Sequence, residues 1–183
     1  MSATTFLRRR NYAGDTCKNE EFPAATFGKA FCIFRYLGVA KNIYRKNPVN
    51  MYGIDISSDA KDMATKKNKK ADSVGQLHLK VGDCCDLPYE DDMFAAVTSI
   101  NTVYFWTDTV KGLSEIRRTL KKGKSFYNIV YTKEYLNTIK YTQIGYKKFE
   151  PEELIEYGKQ AGFESIELKE IISGKSYVVI YTK

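Results

Sequence analysis

The chain is short of the residues that hydrolytic and metal chemistries draw on. It has one histidine, His78, and four cysteines in 183 residues. Cys84 and Cys85 are adjacent, while Cys17 and Cys32 stand apart. No C-x-x-C pair exists, so a structural zinc site is not expected. His78 lies within an apolar run and has no Cys or Asp partner at hydrolase or ligand spacing. A structural role fits it better than a catalytic one. Nucleophile elbow, Walker loop and metal-ligand cluster are all missing. No apolar run approaches the roughly 20 residues needed to span a bilayer, so no membrane segment is expected. Arg8-Arg9-Arg10 is not followed by an apolar stretch, so neither is a secretory signal. Reduced thiols in a cytoplasmic protein are the simplest reading.

What is present is ordinary for a soluble globular chain: 43% hydrophobic and 28% charged residues. The length suits one domain with a single core. Residues 1–28 show no periodicity and are read as an irregular N-terminal segment; residues 29–183 form the domain. The net charge of +7 is concentrated partly in Lys66-Lys67-Asn68-Lys69-Lys70. That run sits at the end of an expected helix, where cations complement the dipole. The remaining charge is scattered, so a nucleic-acid partner is not expected. Nothing in the sequence sets an oligomeric state.

Strand-like and helix-like segments alternate from residue 51 onward. Met51–Ile54 reads as a short strand, followed by a helix capped by Ser57 or Ser58 and running to about Ala71. Leu77–Val81 and Phe94–Ile100 are apolar runs of the length of buried parallel strands. Thr109–Leu120 carries a helical stripe of Val110, Leu113, Ile116, Arg117 and Leu120, and Gly123 is expected just past its end. Phe126–Tyr131 is the next strand. Pro151 opens a helix that Gly162 closes. Phe163–Ile172 and Tyr177–Tyr181, joined through Ser173-Gly174-Lys175, read as an antiparallel hairpin. Upstream, Phe31–Leu37 is the candidate first strand and Ala40–Lys46 the start of its helix. The pattern implies an α/β fold with a mostly parallel, doubly wound sheet and a C-terminal hairpin.

In such sheets ligands bind beyond the carboxyl ends of the strands. Three polar residues occupy those ends: Asp55, Asp83 and Asn101. An acid at Asp55 can accept both hydroxyls of a ribose, or serve as a dipole-favoured acid at a helix start. Asp83 also fits a turn residue that bonds its own backbone. Cys84 and Cys85 read as small buried groups. Tyr104, Phe105 and Trp106 follow the fourth strand, either as core packing or as an aromatic lining.

The run Gly82-Asp83, then Leu87-Pro88-Tyr89-Glu90-Asp91-Asp92-Met93-Phe94, resembles the middle of class I S-adenosylmethionine-dependent methyltransferases of the compact small-molecule type. The resemblance extends from about Tyr52 to the C-terminus. It implies a Rossmann-like sheet, S-adenosylmethionine as cofactor and a small-molecule substrate. It also implies cofactor contacts from Gly38, Asp55, Ile56, Asp83, Cys84, Asn101 and Thr102. In the family, Asp55 would hold the ribose, Asp83 the adenine amino group, and Asn101-Thr102 would lie beside the methionine end. Tyr104, Phe105 and Trp106 would line the substrate pocket; aromatic faces attract a cation such as the sulfonium. Asn101-x-x-Tyr104 has the spacing of the Asn-Pro-Pro-Tyr motif of amino-group methyltransferases, without its prolines. No catalytic residue is assigned and no metal is expected. The family's acid-led Gly-x-Gly-x-Gly loop is replaced by Phe34–Ala40, with Gly38 its single glycine. Bulky residues there are expected to obstruct the cofactor. Two readings follow: a small-molecule methyltransferase, or a non-catalytic binding protein of the same fold.

Overall fold

The computed structural model describes residues 29–33 and 50–183. Seven strands form one sheet: β1 Lys29–Ile33, β2 Asn50–Asp55, β3 Leu77–Val81, β4 Phe94–Ile100, β5 Leu120–Tyr131, β6 Ser165–Ile172 and β7 Ser176–Thr182. Their order is β3-β2-β1-β4-β5-β7-β6. β1, β2, β3, β4 and β5 pair in parallel, and β7 is inserted antiparallel between β5 and β6. The helices are α1 Ser58–Lys67, α2 Lys69–Ser73, α3 Thr109–Thr119, α4 Lys133–Thr138 and α5 Pro151–Gln160. Short 3-10 turns lie at Val103–Phe105 and Lys140–Thr142.

β4 is buried along its whole length, as an apolar strand covered on both faces must be. Around it the core gathers Phe94, Leu113, Ile116, Leu120, Phe126, Leu154 and Tyr181, all fully buried. The expected stripe of α3 is therefore real at Leu113 and Ile116, and Leu120 continues it into β5. Ser57 caps α1, accepting from the Ala60 N–H at 3.3 Å. Pro151 opens α5, and Gly162 follows it with φ +84°. The hairpin forms as expected, with Ser165 opposite Thr182 and Ile172 opposite Ser176.

Several expectations shift. The helix after Ser57 does not run unbroken to Ala71. It stops at Asn68, whose buried carboxamide turns back to donate to the Ala64 carbonyl at 2.8 Å, and a separate short helix follows. Gly123 does not cap α3. The helix ends at Thr119, and Gly123 lies inside β5 at φ +68°. The β4–β5 register jumps there, from Phe94↔Leu120 to Ala96↔Ser125. Left-handed backbone serves a bulge as well as a helix end, and only the fold chooses between them. β5 is accordingly longer than Phe126–Tyr131, and β6 begins at Ser165 instead of Phe163. β1 occupies Lys29–Ile33; the stretch Phe34–Leu37 and the helix expected at Ala40–Lys46 lie outside the described residues.

Candidate active site at the carboxyl edge of the sheet

Parallel pairing brings three strand ends to one edge. Ile33 at the end of β1 lies opposite Ile54 on one side and Ser99 on the other. Asp55 is one residue beyond the first of these, and Asn101 two beyond the second. Val81 lies opposite Asp55, which sets Asp83 on the same edge. The sheet order places β1 between β2 and β4, the point where connections depart in opposite directions. That switch point is where open α/β sheets hold ligands.

Each acid also bonds locally. Asp55 Oδ1 accepts the Ser57 N–H at 2.8 Å, and Asp83 Oδ1 accepts the Cys85 N–H at 2.9 Å. These turns fix where both carboxylates stand at the strand edge. Beside them two large apolar residues stand open: Ile56 is 74% exposed and Val81 50%. Exposed apolar side chains near acceptors suit a nucleoside, which presents a flat base and donor hydroxyl and amino groups. The residues present on β2 and β3 therefore fit S-adenosylmethionine. Cys84 and Cys85 are buried, and burial pushes the Cys84 thiol far above its ordinary range, so it stays protonated. With Asp83 they bring three metal-type ligand atoms within 4.8 Å of one another.

The loop after β3 is clamped from α3. Arg118 donates to the carbonyls of Leu87 and Tyr89 at 3.0 and 2.8 Å, and to Glu115 at 2.8 Å through both Nε and Nη2. Glu115 also accepts the Leu87 N–H at 2.9 Å, and Arg118 above all holds its carboxyl below the ordinary value.

At the end of β4, Asn101 adopts φ +55° and its N–H donates to the Ile129 carbonyl at 2.9 Å. Thr102 is buried; its hydroxyl bonds Ser99 at 2.6 Å and accepts from the Trp106 indole at 3.2 Å. The three aromatics separate. Trp106 is in the core, stacked on Phe126 and pressed against Gly112, where a Cβ would lie 2.9 Å from the ring. Tyr104 is buried with both sides of its hydroxyl engaged. Phe105 is open at 46% exposure and meets Tyr146 edge-on at 4.6 Å. Of the trio, then, only Phe105 lies open, whereas Tyr104 and Trp106 hold the loop behind it.

Sequence reasoning missed the segment that packs over this loop. Lys147 Nζ donates to the carbonyls of Trp106 and Thr107 at 2.6 and 3.1 Å, and its N–H to the Tyr104 carbonyl at 3.1 Å. The Tyr146 ring lies tilted beside Tyr104 and edge-on to Phe105. No periodicity marks residues 139–150, and a lysine bonded to carbonyls leaves no sequence signal. Gly38 and the rest of Phe34–Ala40 fall outside the described residues. His78 is exposed on the edge strand, stacked on Tyr52 at 4.6 Å. Among the described residues no helix is long and apolar enough to cross a membrane.

A family model described as a methyltransferase domain matches residues 37–128, half of the chain. The protein is a class I S-adenosylmethionine-dependent methyltransferase by family. The cofactor of this family is S-adenosylmethionine. The 2-methyl-6-phytyl-1,4-hydroquinone methyltransferase of the Arabidopsis thaliana chloroplast is 28% identical over 140 residues, covering 75% of this chain and 39% of that protein. The chain spans well under two thirds of the length of the curated relatives it matches. A Haemonchus contortus phosphoethanolamine N-methyltransferase in complex with S-adenosylmethionine superimposes with TM-score 0.70 at 18% identity, over 85% of this chain and 48% of that one. The cyclase SpnF superimposes with TM-score 0.74 at 16% identity, over 85% and 75%. These likenesses in structure are of fold, and a fold alone does not set a reaction.

Proposed function

We propose that this methyltransferase-family chain transfers a methyl group from S-adenosylmethionine to a small molecule. The observation that carries this reading is the placement of Asp55, Asp83 and Asn101 on one strand edge, beside the open apolar residues Ile56 and Val81. Asp55 would accept the ribose hydroxyls and Asp83 the adenine amino group, with the Cys84 backbone against the ring. Asn101 and Thr102 would border the methionine end. Gly38 would contribute from the first loop. When bound, the sulfonium supplies an electrophilic methyl group with a neutral thioether as its leaving group. The protein's own contribution is then alignment and the exclusion of water. Phe105 and Tyr146 would give the acceptor an apolar wall. No side chain is assigned a proton-transfer role. The small-molecule assignment is supported by the hydroquinone methyltransferases among the relatives. The cytoplasm remains our proposal for the compartment.

The second reading, a non-catalytic binding protein, is favoured by one observation: Phe34–Ala40 has a single glycine where the family has three. Calorimetric titration with S-adenosylhomocysteine decides between them. Micromolar binding that Asp55→Ala weakens at least tenfold supports the enzyme. Absence of binding in the unmodified chain refutes it.

A further inference from the structure

The hydroxyl of Tyr104 has two neighbours, and their chemistry fixes the direction of a third group. The Tyr131 backbone N–H reaches Tyr104 Oη at 2.6 Å, and a backbone N–H can only donate. Tyr104 Oη therefore accepts there and must place its one proton elsewhere. Tyr104 is 2% exposed, so that proton needs an acceptor within the protein. The Asn101 side chain lies 3.0 Å away, and only its oxygen can serve. Were the carboxamide reversed, its NH2 would face an oxygen already accepting, and the buried phenol proton would be left without an acceptor. The backbone of Asn101 is held as well, by its bond to Ile129 and its left-handed φ. Burial keeps the phenol protonated throughout the working pH range.

We infer that Tyr104 locks the Asn101 carboxamide with its oxygen inward, so that the site presents an N–H donor pair at the end of β4 and selects an oxygen lone pair on the bound molecule over an amine. Among the described residues the Asn101 Nδ2 has no hydrogen-bond partner, and the residue is half-buried at the edge. An Asn that grips an amino group must offer its oxygen; here that oxygen is turned inward to the buried Tyr104 hydroxyl. The Asn-x-x-Tyr spacing therefore works in the opposite sense to an amine-binding motif. The inference rests on the reading of this edge as the active site. Two oxygen sources share the required chemistry: the carboxylate at the cofactor's methionine end, and a hydroxyl or carbonyl oxygen of the acceptor.

The test uses the full chain and Asn101→Asp. Aspartate still accepts the Tyr104 proton, tolerates the left-handed backbone, and exchanges the donor pair for an acceptor. Four probes are titrated: S-adenosylhomocysteine, methylthioadenosine, and, on protein saturated with S-adenosylhomocysteine, 1,4-hydroquinone and 1,4-phenylenediamine. If the cofactor carboxylate is the partner, the variant binds S-adenosylhomocysteine about tenfold or more weakly and methylthioadenosine unchanged. If the acceptor oxygen is the partner, S-adenosylhomocysteine is unchanged, hydroquinone weakens by a similar factor, and the diamine does not. Equal or tighter binding of every probe overturns the inference. The lock is also read without ligand: nuclear Overhauser contacts from the Asn101 NH2 protons to the Tyr104 ring should be weak in the native chain and grow in Tyr104→Phe. Strong contacts in the native chain refute the lock whether or not a cofactor binds. Failure of the native chain to bind any adenosine probe, with those contacts weak, refutes the active-site reading and with it the selectivity, and leaves the lock standing.

Discussion

Replacing Arg118 by methionine should loosen the loop that carries Asp83 and Leu87. The guanidinium makes two bonds to Glu115 and one each to the Leu87 and Tyr89 carbonyls. Its further pair with Asp91 is at the surface, where the acid is 72% exposed, and contributes little. Hydrogen bonds to charged groups contribute about 1.5–3 kcal/mol each when well shielded. Arg118 is 31% exposed and Glu115 21%, so solvent screening reduces the sum. Methionine retains the apolar stem but leaves the Glu115 carboxylate without its cation and the two carbonyls to water. We expect a net loss of about 2–3 kcal/mol. For a chain of this size that lowers Tm by roughly 5–10 °C. Lysine should recover little, because it cannot form the two-pronged contact. The loss depends on pH in a set direction. Glu115 has its carboxyl lowered in the folded state, so its contribution is present above the ordinary value of 4.5 and disappears as pH falls through the depressed one. Urea denaturation of both proteins between pH 7 and pH 3 provides the assay. The gap should be full at pH 7 and narrow below about pH 4.5. A loss under 0.5 kcal/mol at pH 7, or a gap constant across the range, refutes the reasoning.

Other outcomes are equally definite. Tyr104→Phe removes the acceptor of the Tyr131 N–H and should cost about 1–3 kcal/mol in urea denaturation; a neutral result would mean the phenol is not a structural tie. Gly158→Ala should destabilise by about 1–3 kcal/mol despite alanine's better helix propensity, because the new methyl meets the Tyr181 ring and Ile166 Cδ1; a raised Tm would contradict that close approach. Cys84 and Cys85 should react with a disulfide reagent only on unfolding, since both are buried; rapid labelling of either in the native chain would show the loop to be open.

The sheet was legible because β4 and its neighbours carry apolar runs with polar ends, and the hairpin because Gly174 sits in a short turn. Residues with two physical uses were harder. Gly123 has the same backbone freedom at a bulge as at a helix end, and its neighbours in sequence do not distinguish them. Asp55 and Asp83 fit both of the roles weighed for each, since a carboxylate can bond its own turn and still stand at a strand end. For Trp106 and Tyr104 the sequence gives aromatic character without direction. Burial is decided by Phe126, Gly112 and Tyr131, distant residues that the fold brings up. α4 was missed because six residues are too few for a periodic signal, although its Thr132 cap, accepting from Tyr135, is an ordinary one.

The position of β7 has a consequence for assembly. This strand follows β6 in sequence yet lies interior to the sheet, and among the described strands β6 pairs with β7 alone. Until residues near Thr182 leave the ribosome, β5 keeps an open edge and β6 has no strand to join. The nascent chain must therefore carry the unpaired edge of β5 while the segment from Thr132 to β7 is made. Closure then comes in one step, when β7 enters the slot and Lys183 reaches back to Asp92 and the Arg118 carbonyl. The price of that order is a late, non-local event in folding. Loss of β7 would take β6 from the sheet with it and leave the β5 edge exposed to pairing with other chains.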